Sequence, residues 1–281
     1  MKAKELYELL DDRFIVEGLY DVWYKFMDGL DDYIYDNFKK TDMGLMCDFT
    51  DEIDTVYTAV FPSNKVMNDI LNDGAKNSML FLHHAFDWDS RNSTPFSQIS
   101  TQLLSKFKER KISIYVIHVP LDNYSEYSTG NSFAESLDLI VENKFGEYRG
   151  SKCGVICKTN LTSVDDLKDL VEKVVNHKVE IYHYGEDEIL DSRVAIITGG
   201  GNDSKMLKEA IDNGANTYIT GVTNLSITEK GHQFAKQNNI NIIGATHYST
   251  EKSACIKMVD FFKKVGLQSF YVEDNAVLED M

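Results

Sequence analysis

The chain has 281 residues, enough for one large domain or two ordinary ones. Hydrophobic residues make up 43% and charged residues 26%, which is typical of a globular protein with a sizeable core. Asp and Glu number 45 against 29 Lys and Arg, so the formal net charge is −16. This acidity disfavours general binding of nucleic acid, and it leaves bound cations as the place where a phosphate could be held.

The N-terminal segment and the cysteines indicate where the protein works. The first residues, MKAKELYELLDDR, have no apolar stretch after the basic residues, so they do not resemble a secretory signal. No apolar run approaches the length of a membrane-spanning helix. The cysteines Cys47, Cys153, Cys157 and Cys255 lack paired metal-binding spacing, which favours reduced structural thiols over a zinc site. We therefore expect a cytoplasmic protein that binds neither membranes nor nucleic acid.

Predicted strands and helices alternate along the chain. In the first half, strands are predicted at residues 54–61, 78–82 and 112–117, and helices at 65–72, 97–108 and 131–139. In the second half, helices are predicted at 164–175, 205–212, 229–237 and 253–264, and strands at 179–183, 194–198, 217–220, 240–244 and 269–273. β-Branched and aromatic residues mark the strands, whereas apolar residues recur every three or four positions in the helices.

This alternation predicts an α/β fold in which largely parallel strands carry helices on both faces. Two similar halves fit the length, so we predict an N-terminal domain over residues 1–140 and a C-terminal domain over residues 141–281. No Pro- or Ser-rich linker marks the boundary, and the C-terminal elements can pack back on the first domain.

The first 37 residues differ from the rest, because they are rich in aromatic and acidic side chains. Leu19, Trp23 and Phe26 follow one another at helical spacing. That spacing predicts a packing surface, either in the core or at a subunit interface.

Four of the seven histidines closely follow predicted strands. His83 and His84 come directly after the second predicted strand, His118 comes directly after the third, and His247 lies three residues beyond a strand of the second half. In open α/β sheets, ligands bind in the crevice beyond the carboxyl ends of the strands. We therefore expect these side chains to converge although they are far apart in sequence.

Two carboxylates accompany these histidines at a spacing of four residues. Asp122 follows His118 in HVPLD, and Glu251 follows His247 in HYSTE. Imidazole and carboxylate ligands together suit zinc, manganese, iron or nickel. Five or six such ligands are too many for one tetrahedral zinc ion, but they fit two metal ions roughly 3.5–4 Å apart.

A helix beginning near His247 would bring its carboxylate partner close to the strand end. Ser249 or Thr250 could cap such a helix and would place Glu251 in its first turn. Position along the chain alone leaves a second interpretation open, in which the same histidines and carboxylates are hydrogen-bonded polar residues of the core or a sheet edge.

Four separated segments, in the same order, resemble the Nif-three-like family of dinuclear metal proteins, also called GTP cyclohydrolase I type 2 homologues. LFLHHAFDWD resembles the family's strand with paired histidines, and IYVIHVPLDN resembles its Y-x-x-H-T-x-L-D segment. VAIITGGGNDSKMLKEAIDNGANTYITG resembles its V-A-V-x-G-G-S-G…A-D-x-Y-I-T-G stretch, and IIGATHYSTE resembles its G-H-Y-x-T/S-E close. The resemblance runs from about Asp42 to the C-terminus.

The resemblance implies two divalent metal ions, of zinc, manganese, iron or nickel, held by a set of five ligands. That set comprises His83, His84, Asp122, His247 and Glu251. It also implies that His118 lies beside the metals, either as a ligand or as a neighbour of the ligands. Members of this family typically have two three-layer α/β/α domains with the metals in the cleft between them, and they often form ring-shaped hexamers. The resemblance implies both features here.

The chain departs from the family pattern at two places. The proline usual after the paired histidines is Ala85, and Asp87 and Asp89 follow it, where either could orient a ligand histidine. The acidic residue and histidine that often follow the family's TG are replaced in TGVTNLS. This second departure bears on catalysis more than on metal binding.

Weaker patterns are assigned structural roles. The loop Gly199–Gly201 could cradle a phosphate, but it lacks the P-loop and dinucleotide signatures, so a tight strand-to-helix turn is favoured. His177, His183 and His232 have no carboxylate at helical spacing, so we expect them at the surface or at a sheet edge. Residues 43–46, with methionine at each end, are expected to pack in the core.

Three functions remain open on the sequence alone. The first is a metal-dependent hydrolase in which two metal ions activate water against a small-molecule substrate, such as a nucleotide, GTP included, or another phosphoester. In it His118 would carry a proton. The second is a non-catalytic metal-binding or regulatory module that binds a partner through the acidic, aromatic N-terminus. The third is a metal site with a purely structural role.

Overall fold

The computed structural model describes residues 1–123 and 125–281, which form thirteen strands and ten α-helices. The strands are β1 Gly44–Cys47, β2 Thr55–Ala59, β3 Ser78–Leu82, β4 Asp87–Trp88, β5 Phe96–Ser97, β6 Ile112–Val116, β7 Ile140–Tyr148, β8 Ser151–Lys158, β9 Glu180–Tyr182, β10 Arg193–Ile197, β11 Thr217–Thr220, β12 Asn241–Gly244 and β13 Gln268–Tyr271. The helices are α1 Ala3–Phe14, α2 Phe38–Thr41, α3 Asn64–Asn72, α4 Thr101–Glu109, α5 Val119–Asp122, α6 Thr129–Ser136, α7 Val164–Val175, α8 Ser204–Asp212, α9 Leu225–Gln237 and α10 His247–Lys264.

Two compact units divide this part of the chain. The first contains residues 1–121 and 255–275, and the second contains residues 122–254 and 276–281. The predicted domain boundary between residues 140 and 141 stays a prediction.

The first unit is built on a five-stranded sheet with the order β1-β6-β3-β2-β13. β13, β2, β3 and β6 run parallel to one another, and β1 pairs antiparallel with β6 at the edge. Every residue of β3 and β6 is buried. Such continuous apolar runs are expected where helices cover both faces of a parallel sheet.

The second unit is built on a six-stranded sheet with the order β7-β8-β10-β11-β12-β9. Its centre is parallel, because β11 pairs in parallel with both β10 and β12. The outer strands are antiparallel, and β7 and β8 form a hairpin that turns at Arg149 and Gly150. Both of these turn residues have positive φ, as the turns that favour hairpins require.

These sheets confirm the predicted α/β class. The predicted bounds of β3, α7 and β11 match the structure residue for residue. The expectation of largely parallel strands holds for the first sheet and for the centre of the second. The predicted elements do not include helix α1 or strands β1 and β7, and of β8 only residues 153–157, CGVIC, look strand-like in the sequence.

The helical spacing inferred for residues 19–26 is wrong. Only a single 3₁₀ turn, Tyr24–Phe26, forms there. Leu19 is buried, whereas Phe26 is 60% exposed, so the three aromatic and apolar side chains do not share one buried helix face. Trp23 packs on the rings of Phe26, Phe86 and Phe96. Among the described residues, no helix has both the length and the apolar character needed to span a bilayer.

We predict that Leu80→Ala lowers the free energy of unfolding by about 3 kcal/mol, because it leaves a cavity in a packed core. Leu80 lies in the central strand β3, is fully buried and belongs to the core cluster of the first unit. Leu9→Ala in α1 is the control, because Leu9 is 38% exposed. Urea denaturation of both variants measures the difference, and equal losses would contradict the proposed core.

Candidate metal centre

The register between β3 and β6 brings three histidines together in the first unit. Leu82 pairs with Val116 in this parallel ladder, and both strands end there. His83 and His84 therefore leave the sheet beside His118. His84 then donates its backbone N–H to the carbonyl of Val60, at 2.9 Å, so the chain turns after the strand. This turn lets consecutive histidines point toward one site instead of opposite faces.

The three imidazole rings form a compact, buried group. Their ring centroids are 4.4 Å apart for His83 and His84, 4.6 Å for His84 and His118, and 5.0 Å for His83 and His118. Each ring offers one nitrogen within 4.8 Å of the nitrogens of the other two. The ring of Phe61 stacks on His84 at 4.7 Å and so fixes its plane.

The tautomer of His83 follows from its hydrogen bond. Its Nδ1 lies 3.0 Å from the carbonyl oxygen of Ile117, which can only accept a hydrogen bond. Nδ1 must therefore carry the proton, and Nε2 keeps its lone pair. A neutral imidazole with one nitrogen tied to a carbonyl is the usual arrangement of a metal-ligating histidine.

Helix α10 carries a second pair of ligand-type side chains, in the other unit. His247 and Glu251 are one helical turn apart on the same face, and His247 Nε2 lies 3.3 Å from Glu251 Oε1. Both side chains are buried, at 5% and 3% exposure. A buried carboxylate and imidazole at this spacing present a nitrogen and an oxygen to the same point.

The start of α10 differs from the prediction. The helix begins at His247, not near Ser253. In its first turn, the backbone N–H of Ser249 donates a hydrogen bond to Thr246 Oγ1. The backbone N–H of His247 is held by the carboxylate of Asp280, at 2.9 Å. The predicted capping by Ser249 or Thr250 is therefore wrong, because Thr246 already occupies the position just before the helix.

The glycine loop after β10 allows close approach to the α10 pair. Gly199 has φ +65°, and a Cβ atom placed on it would lie 2.3 Å from Glu251 Oε1 and 2.9 Å from His247 Nε2. Its N–H donates to Thr250 Oγ1 at 2.9 Å. The loop is the predicted strand-to-helix turn, and its first glycine leaves room for the two ligand-type side chains.

Asp122 joins this group from the end of α5. One of its carboxylate oxygens lies within 4.8 Å of a carboxylate oxygen of Glu251. A chain of hydroxyls orients it, because Thr198 Oγ1 donates to Thr129 Oγ1 and Thr129 Oγ1 donates to Asp122 Oδ1, both at 2.8 Å. Because each hydroxyl donates toward Asp122, the two hydrogen bonds fix the rotamer of the Asp122 carboxylate.

The donor chemistry of both groups fits a divalent metal ion. The first unit assembles three imidazoles, and the second places the Glu251 carboxylate beside the His247 imidazole and beside the Asp122 carboxylate. Nitrogen and carboxylate oxygen are the donors that zinc, manganese, iron and nickel share. All five predicted ligands and His118 thus lie in groups that could hold a metal ion.

A carboxylate that the sequence analysis did not identify also lies at this site. Asp21, buried at 3% exposure, accepts a hydrogen bond at Oδ2 from His118 Nδ1. Asp87 and Asp89, proposed for such a role, have other partners: Asp87 accepts the N–H of Trp88, and Asp89 pairs with Arg91. No sequence signal marked Asp21, because 97 residues separate it from His118.

The remaining histidines are only partly as predicted. His183 is exposed, and it pairs with Asp165 at 3.0 Å, with Asp187 beside them. His177 is half-buried and hydrogen-bonds Ser249 at 2.7 Å. The surface prediction is wrong for His232, which lies on the buried face of α9, and burial lowers its pKa.

The fold and these groups define a mixed α/β protein whose buried histidines and carboxylates could hold metal ions. The family profile of Duf34/NIF3 (NGG1p interacting factor 3) matches residues 33–275. The chain belongs to this family, as its sequence motifs predicted.

Several relatives are described as a GTP cyclohydrolase 1 type 2 homolog. The protein from Pyrococcus horikoshii is 28% identical over 246 residues, covering 85% of this chain and 92% of its own length. The protein from Borreliella burgdorferi is 28% identical over 196 residues, covering 69% of this chain and 73% of its own length.

Solved structures share the fold. The protein ybgI, described as of unknown function, superposes with a TM-score of 0.74 at 18% identity, over 98% of this chain and all of the other. The hypothetical protein SA1388 from Staphylococcus aureus gives a TM-score of 0.71 at 18% identity, over 98% of this chain and 97% of the other.

We predict that Gly199→Ala destabilises the protein by about 1–3 kcal/mol, because it imposes a side chain at positive φ and pushes on Glu251 and His247. Gly200→Ala is the matched control, since nothing lies within 4 Å of a Cβ at that position. Thermal and urea unfolding of the two variants measure the difference. Equal stabilities would show that Gly199 does not touch this pair.

We predict a pH effect at Asp87. Burial, helped by the charges of Asp274 and Asp89, raises the pKa of Asp87 from 3.8 to about 6. The folded state then keeps a proton that the unfolded state releases, so stability falls as pH rises from about 4 through 6. Asp87→Asn removes this loss and should add about 1 kcal/mol at pH 7, after discounting for partial exposure.

The control for Asp87 is Asp89→Asn. The hydrogen bond from Arg91 lowers the pKa of Asp89, so its contribution to stability is present at neutral pH and lost on acidification. Denaturation between pH 4 and 8 should therefore show the two variants changing stability at pH 7 in opposite directions. A gain of stability at pH 7 in both would contradict the assignment.

Proposed function

We propose that this protein binds two divalent metal ions through His83, His84, Asp122, His247 and Glu251. The observation that carries the proposal lies within each unit separately. The first unit brings together the imidazoles of His83, His84 and His118, and the second places Glu251 beside both His247 and Asp122. Two histidines of the set come from the first unit, and the other three ligands come from the second. Membership of the Duf34/NIF3 family agrees with the sequence resemblance, which implies these same five ligands.

We propose further that the site hydrolyses a nucleotide or another phosphoester. When bound, divalent ions supply Lewis acidity, which makes water more acidic and offsets negative charge on a substrate. His118 would exchange protons with the substrate or with water, since it lies among the histidines and is 12% exposed through its side chain. The naming of relatives as GTP cyclohydrolase 1 type 2 homologues supports a nucleotide as the first substrate to try.

The net charge of the chain agrees with a role for the metal ions in binding an anionic substrate. At a net charge of −16, the protein as a whole repels anionic substrates. A phosphate would therefore depend on the bound cations for its affinity, and removing them should abolish its binding. Assembly into a hexameric ring remains a prediction from the family resemblance.

We predict about two equivalents of metal per chain in the purified protein, by elemental analysis after loading with zinc, manganese or iron. Glu251→Ala and His84→Ala should each lose at least one equivalent, because removing a ligand opens the site. His177→Ala is the control, since His177 hydrogen-bonds Ser249 and belongs to none of the groups of described residues that could hold a metal ion. Wild-type protein that binds no metal under any loading would overturn the proposal.

The same loaded proteins test catalysis. Release of phosphate or of a purine-ring product from nucleotides and phosphoesters should depend on the metal and should fall at least tenfold in His84→Ala. Stoichiometric metal without turnover of any substrate would contradict the hydrolase and favour a non-catalytic metal-binding module.

A further inference from the structure

An N-terminal segment outside the family match reaches the three histidines. The family profile begins at residue 33, and Asp21 precedes it. Asp21 is nonetheless among the most buried carboxylates of the described chain, with a side chain of zero exposure. Burying a carboxylate is costly unless it is paired, so its partner indicates its role.

That partner is His118. Asp21 Oδ2 and His118 Nδ1 are 2.5 Å apart, and the same histidine lies at ring-centroid distances of 4.6 and 5.0 Å from His84 and His83. Asp21 thus contacts the group of three histidines through one atom, Nδ1 of His118.

Several contacts fix the position of Asp21. Its N–H donates to the carbonyl of Thr41 at 3.1 Å, and the N–H of Tyr24 donates to Asp42 Oδ1 at 2.8 Å. Between them, Trp23 packs against Phe86 and Phe96, with centroids 5.8 and 4.8 Å away. The backbone on both sides of the carboxylate is therefore held, and the Asp21 side chain is preorganised.

We propose that Asp21 is a positioning residue that keeps the proton of neutral His118 on Nδ1. An ionised carboxylate can only accept hydrogen bonds, so the nitrogen facing it must be the donor. Nε2 then keeps its lone pair for the histidine group, where it can ligate a metal ion or accept a proton. A carboxylate behind a ligand histidine also raises the basicity of the ring.

The effect of Asp21 on metal binding rests on the proposed function, but its effect on the His118 tautomer can be measured in metal-free protein. Imidazole ¹⁵N spectra, recorded at a pH where the rings are neutral, distinguish protonated from unprotonated ring nitrogens. A His118→Gln variant assigns the signals. The wild-type ring of His118 should be protonated on Nδ1.

Asp21→Asn is the decisive variant, since an amide can donate to Nδ1 and so permits the other tautomer. Its His118 signals should shift toward protonation on Nε2, and the dissociation constant for zinc or manganese should rise 10- to 100-fold. Trp23→Leu is the packing control. It loosens the same segment but leaves the carboxylate, so it should keep the Nδ1 tautomer.

Each outcome decides a separate question. A wild-type ring protonated on Nε2 overturns the role of Asp21, as does an Asp21→Asn protein with unchanged tautomer and unchanged metal affinity. A change of tautomer in Trp23→Leu equal to that in Asp21→Asn would reduce Asp21 to a packing residue. If Asp21→Asn fails to fold, the wild-type and Trp23→Leu spectra still test whether His118 carries its proton on Nδ1 in both proteins. If wild-type protein binds no metal, the proposed function is wrong, but the role of Asp21 in setting the His118 tautomer is unaffected.

Discussion

The candidate site depends on the register between two parallel strands. Because Leu82 of β3 lies opposite Val116 of β6, the residues that follow the two strands leave the sheet together. A shift of one residue would turn a histidine into the core and bring an apolar side chain out. The hydrogen bond from His83 to the carbonyl of Ile117 is a direct product of this register. The ring positions therefore follow from the sheet, whose fully buried central strands leave little freedom for slippage.

The sequence predicted what depends on local patterns. β-Branched runs and helical periodicity located most strands and helices, and histidines directly after strands identified His83, His84 and His118 as neighbours. The hairpin of β7 and β8 was missed in part because its first strand, IVENKFGEY, is polar and mostly exposed. The extent of α10 was also missed. Its first turn is polar by sequence, yet it is buried and held by Thr246 and Asp280, which are tertiary features.

Asp21 shows why the rest could not be predicted. Its neighbours in sequence are aromatic and acidic without helical order, so no periodicity places its side chain. Packing of Trp23 on two distant rings and backbone hydrogen bonds to Thr41 and Asp42 bring it to His118. The carboxylates closer in sequence, Asp87 and Asp89, were the more obvious candidates, but they are engaged elsewhere. Contacts of this kind require the folded chain, because they join residues through loops that carry no regular pattern.

The buried position of Asp280 has a practical consequence. Its carboxylate holds the N–H of His247, and its backbone carbonyl accepts the N–H groups of Thr223 and Asn224, both at 2.7 Å. These bonds keep the final residues of the chain fixed within the second unit. Loss of Asp280 would therefore free the first turn of α10 and loosen a candidate ligand. The presence of Asp280 is accordingly worth verifying by mass spectrometry in any preparation whose metal content is to be interpreted.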